Sequence, residues 1–230
     1  MRPYALALLL ATSAFALPHQ EPEFPVYVER SMRGFTVQID AELAAEDSEL
    51  GREVLELLDF KLYETRRVLP EAAMKELEKV VIWMDLDDPN VPGGVYHPSR
   101  KWLEANKRNP EMAGCIQFGN ARNFLAWSFD QPSMLIHELA HAYHHQVIGY
   151  GEEGIAGAFR KAHESGSYDS VLRNSGRTEK AYAMNNAKEY FAELSEAWFG
   201  VNDFYPFVKA ELRVHDEEGF DVVRRVWYGR

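Results

Sequence analysis

The sequence predicts an α+β protein, with a sheet-bearing N-terminal half, a helical C-terminal half and the active site between them. Three observations carry this. Segments of strand character all lie before residue 119, and helical spacing dominates after residue 130. No internal repeat or low-complexity linker divides the 230 residues, which suffice for one sizeable core. Strands gathered first and helices afterwards leave a cleft between about 17–148 and 149–230 of a single domain spanning 17–230.

Taken in order, Met1-Arg2, the apolar run from Tyr4 to Leu10 and Ala14-Phe15-Ala16 read as a secretory signal. Residues 1–16 are expected to be removed and the mature protein to be secreted or extracytoplasmic. The run is too short to anchor in a bilayer, and no other stretch is long and apolar enough. Residues 17–25 are proline-rich and read as an extended lead-in. Gly34 to Asp40 alternates apolar and polar residues like a half-buried strand. From about Asp47 to Val68 a helix is expected, with Leu50, Val54, Leu57 and Leu58 on one stripe and Pro70 ending it. A short helix over Glu71–Glu78 and a buried strand over Lys79–Met84 follow.

Residues 89–100 are loop by composition. A short helix at Trp102–Asn106 precedes a strand over Ala113–Phe118, which is expected to offer its edge to an extended peptide. Asp130 is placed to cap the next helix, with Pro132 in its first turn and Gly149 and Gly151 closing it. Further helices are expected at Glu152–His163, Asn186–Phe199, Phe204–Val214 and Phe220–Tyr228. A net charge of −11 argues against nucleic acid and anionic membranes as partners. The single cysteine, Cys115, excludes an intramolecular disulfide and reads as a buried thiol.

The chemistry is concentrated in His137-Glu138-Leu139-Ala140-His141. On a helix, residues four apart share a face, so two imidazoles can grip one cation while Glu138 reaches a water on it. Polar residues on an ordinary amphipathic helix are the plain alternative. Apolar neighbours on both sides weigh against it, because burying two histidines and a glutamate is costly without a partner.

A catalytic zinc site has three protein ligands and an open position. His144 lies about 10 Å along the axis from His137, too far to share its ion. His145 is four residues after His141, but Ala142 stands where a base would be needed. Both are expected at the surface or behind the ligands. Val147 occupies the place where an extended three-histidine motif has its third histidine. The ligand must therefore come from elsewhere, and Glu189 and Glu193 share one helix face within Ala187–Leu194. Glu189 suits the third ligand, and Glu193 suits a hydrogen bond to the free nitrogen of a ligating histidine. Alone, such an acidic pair fits a solvated helix face better; its weight comes from sharing the chain with a His-Glu-x-x-His that needs one more acidic ligand.

His-Glu-Leu-Ala-His followed by Asn186-Ala187-Lys188-Glu189-Tyr190-Phe191-Ala192-Glu193 resembles the zincin metallopeptidases with a glutamate third ligand. Within them it is most similar to the catalytic domain of the anthrax lethal factor-like metallopeptidases. The resemblance covers about residues 130–200. It implies a zincin-like fold, one Zn²⁺ per chain held by His137, His141 and Glu189, Glu138 as general base, and Tyr182 donating to the oxyanion. It implies a peptide or protein substrate, with endopeptidase action favoured. The alternatives are an inactive binding protein on the same scaffold and a zinc hydrolase of a non-peptide amide or cell-wall component. Tyr96, His97, Arg122 and Trp127 are candidates for the cleft lining. Oligomeric state, cleavage preference and the roles of Cys115, His97, His144 and His145 are not written in the sequence.

Overall fold

The computed structural model describes residues 24–229, so the signal-like segment 1–16 lies outside the described residues. It is an α+β fold around a mixed five-stranded sheet. The chain enters through β1 (Tyr27–Met32) and returns in β2 (Phe35–Asp40) as an antiparallel hairpin. Arg33 and Gly34, with φ of 52° and 95°, make the tight turn, whose twist suits a two-residue hairpin. Phe35, Val37 and Ile39 of β2 point into the core, as the alternation predicts. The short helix α1 (Ala41–Ala44) leads to α2 (Glu49–Val68), capped by Ser48 Oγ at 3.0 Å from Gly51 N. Its buried stripe is Val54, Leu58, Leu62 and Thr65, while Leu50 and Leu57 are only partly covered.

Then follow α3 (Glu71–Leu77), β3 (Ile82–Met84), β4 (Gly94–Tyr96), α4 (Arg100–Ala105), β5 (Ile116–Phe118) and α5 (Ala121–Trp127). The strand order is β1-β2-β3-β5-β4; β3 lies parallel to β2 and β5, and β4 runs antiparallel to β5. Two expectations change here. The span 89–100 is not all loop, because Gly94–Tyr96 pairs residue for residue with Ile116–Phe118. For the same reason the strand near 114–118 has no free edge; the edge belongs to β4.

The helix α6 (Met134–Tyr143) lies between β4–β5 and α8 (Ala187–Phe199). Its cap position is Ser133 rather than Asp130, and Ser133 Oγ instead accepts from Val201 N at 3.0 Å, tying the start of α6 to the end of α8. A π-turn over His144–Ile148 widens the end of α6 before Gly149. The helix α7 (Glu153–Ser165) and the small hairpin β6 (Val171–Leu172) and β7 (Thr178–Glu179) precede a 3₁₀ turn at Tyr182–Asn185. After α8 come α9 (Lys209–His215) and α10 (Glu217–Tyr228). Residues 204–208 are not helical as expected: Phe204 bridges to Arg173, and Pro206 disfavours helical geometry at Tyr205.

One apolar core spans the inner sheet face, α2, α6, α8 and α10; a smaller one, Trp83, Leu103, Met112 and Cys115, covers the other face. Asp216 fastens α8 to the end of α9 by accepting from Tyr190 at 2.6 Å and Tyr168 at 3.0 Å. Among the described residues no helix is long and apolar enough to cross a membrane.

Candidate metal centre

The site forms where α6 meets α8. His137 and His141 stand one turn apart on α6, their rings edge to face at 4.7 Å. Across from them, Asn186 caps α8 by accepting from the backbone N–H groups of Lys188 and Glu189, at 2.9 and 3.2 Å. That cap fixes Glu189 in the first turn. Its Oε2 lies 3.1 Å from His137 Nε2 and 3.2 Å from His141 Nε2, and the two Nε2 atoms are 3.1 Å apart. Zinc bonds of about 2.0–2.2 Å in a tetrahedron put ligand atoms about 3.3–3.6 Å from one another. The three tips therefore stand close to the edges of one face of such a tetrahedron, and the donor set suits the ion.

The charges agree. Burial opposes a charged His137, yet the carboxylates of Glu189 and Glu196 outweigh it and hold its pKa well above the usual histidine value. Burial likewise opposes a charged Glu189, but His137 and His141 hold it far below the usual carboxylate range. These are ion pairs between the side chains themselves, and a metal binding there would displace the His137 proton.

Behind the ligands the structure corrects one assignment. The carboxylate that reaches the free nitrogen of a histidine is Glu196, with Oε1 2.7 Å from His137 Nδ1; Glu193 Oε1 is 3.8 Å away. Nδ1–H donation to Glu196 leaves the Nε2 lone pair for a metal. Glu189, Glu193 and Glu196 form one row along α8, and the last two are buried. The i, i+7 spacing from Glu189 to Glu196 was the available signal.

Glu138 is buried beside the edge strand, and burial raises its pKa against the pull of His137 and His141. A Cβ on Gly94 would lie 3.1 Å from both Glu138 Cγ and Oε1, so glycine lets β4 run against this carboxylate. Tyr182 is half-exposed with its ring centroid 6.3 Å from that of His137. It shares a recess of about 190 Å³ with His137, Glu138, His141 and Glu189. Burial raises its pKa, which keeps the phenol protonated and able to donate. Tyr150, absent from the sequence reading, lines the same recess.

His144, His145 and His97 stay outside the cluster. His144, expected at the surface or behind the ligands, is buried against Phe191 and Tyr150. His145 Nδ1 meets Tyr96 Oη at 2.7 Å, which fastens β4 to the end of α6. His97 Nε2 meets Gln117 Oε1 at 2.7 Å in a buried polar group with Asp85, Asp88 and Arg108. Arg122 is exposed on α5, Trp127 closes over Gly93 at the cleft, and Cys115 is buried. A larger cleft of about 920 Å³ runs along β4 past His137 and Glu138.

Comparison of the chain with protein-family models, with curated proteins and with solved structures found no match. What the fold and site define is an α+β domain with a His-His-Glu cluster between two helices, able to hold a metal ion.

Proposed function

We propose that this chain is a secreted zinc metallopeptidase of zincin-like fold, cutting peptide bonds within extended substrates. The observation that carries the reading is the convergence of His137 Nε2, His141 Nε2 and Glu189 Oε2 at 3.1–3.2 Å, with Glu138 one residue along beside β4, the last strand of the sheet. When bound, zinc supplies Lewis-acid polarisation of the scissile carbonyl and lowers the pKa of a water.

The chain's own residues do the rest. The open edge of β4 pairs with the substrate main chain and sets the scissile bond over the cluster. Glu138 takes the proton of the attacking water and returns a proton to the leaving amine. Tyr182 donates a hydrogen bond to the developing oxyanion. Glu196 holds the His137 ring in place through Nδ1. The resemblance of both helices to the lethal factor-like peptidases supports the reading, and the signal-like residues 1–16 support export. A binding protein without activity would have no use for a carboxylate at Glu138. The test is zinc content and peptide-library cleavage for the wild type and Glu138→Gln. Zinc in both with cleavage only by the wild type is expected; equal cleavage by both overturns the mechanism.

A further inference from the structure

Resting on the peptidase reading, we propose that the cleft selects a lysine or arginine side chain next to the scissile bond, with Glu193 as its counter-charge. The cleft beside His137 has apolar walls, Trp127, Met134 and Phe204, and an acidic floor, Glu193, Glu196 and Asp203. Two of those acids are spoken for. Glu196 accepts from His137 at 2.7 Å, and Asp203 Oδ2 lies 3.2 Å from Arg173.

Glu193 is left over. It is 3 % exposed, and among the described residues its Oε2 has no hydrogen-bond partner. Among the described residues its one basic neighbour within ion-pair distance is His137 at 3.8 Å, whose Nδ1 proton is directed to Glu196. A buried carboxyl with one oxygen left unpartnered at the cleft floor is a ready hydrogen-bond and charge partner for an arriving cationic head. Lysine and arginine match both parts of the cleft. Their methylenes lie along the apolar walls while the charged head reaches the floor. A leucine fills the walls and leaves Glu193 unpaired; a glutamate adds a like charge to the floor.

The experiment uses the zinc-loaded protein and peptides identical except for Lys, Arg, Leu or Glu at the positions flanking the cut. Cleavage gives kcat/KM ratios, and binding to zinc-loaded Glu138→Gln gives Kd ratios that need no turnover. Lys and Arg peptides are expected to lead Leu by about tenfold or more in both, a size typical of one desolvated charge pair. Glu193→Gln should shrink that ratio about tenfold with zinc stoichiometry kept, and Glu193→Asp should restore part of it. Cleavage with a flat or acidic preference overturns the proposal while leaving the peptidase reading standing. Tight, Lys-selective binding without any cleavage by the wild type supports the charge site and overturns the peptidase reading instead.

Discussion

Replacing His144 by leucine turns a buried histidine into a measurable pH dependence of folding. The ring is 2 % exposed, packs on Phe191 and Tyr150, and has no hydrogen-bond partner on either nitrogen. Burial, reinforced by His141, Lys188 and His145, lowers its pKa from 6.5 to about 4. The unfolded chain therefore binds more protons than the folded one between those values. Stability is retained above the unfolded pKa and falls as the pH drops through this window. That fall corresponds to about 3 kcal/mol, of which about 2 is lost between pH 7 and pH 4.5. Urea unfolding of metal-free wild type and His144→Leu at both pH values isolates the effect, since other titrating groups are common to the two proteins. The wild type should lose about 2 kcal/mol more than the variant on acidification. Parallel losses would refute the reasoning and place a proton or a partner on the folded His144 ring.

Two further predictions concern the site itself. Glu196→Gln should weaken zinc binding about 10–100-fold in a competition titration with a chelator, as loss of a carboxylate behind a ligating histidine does, and more than Glu193→Gln does. Tyr182→Phe should lower kcat by about 10–1,000-fold with KM and zinc content little changed, as removal of one oxyanion donor does; a rise in KM alone would assign the phenol to substrate binding.

The two helices of the site were legible because their signals are local. His137, Glu138 and His141 lie on one turn, and Asn186 and Gly200 mark the ends of α8 in the sequence. What was hidden depends on pairing between distant segments. The strand β4 is three residues long and begins with glycine, so nothing in its own residues separates it from a loop; its partner β5 makes it a strand. The exposed, charged β1 shows no buried alternation for the same reason of edge position. Glu196 is hard to read from sequence because α8 is buried along most of its circumference, and its row of glutamates runs one turn beyond the i, i+4 pair of Glu189 and Glu193. His144 shares the His137 face by its i, i+7 spacing, but only its neighbours in space, Phe191 and Tyr150, decide that it is buried.

The central claim is that α6 and α8 together hold one zinc ion. Calorimetric titration of the metal-free protein with zinc at pH 7, for the wild type, Glu189→Ala and Glu193→Ala, tests it directly. One site per wild-type chain is predicted, with affinity reduced at least about 100-fold in Glu189→Ala and far less in Glu193→Ala. A wild type that takes up no zinc, or a Glu189→Ala variant that binds it as tightly as the wild type, would contradict the account.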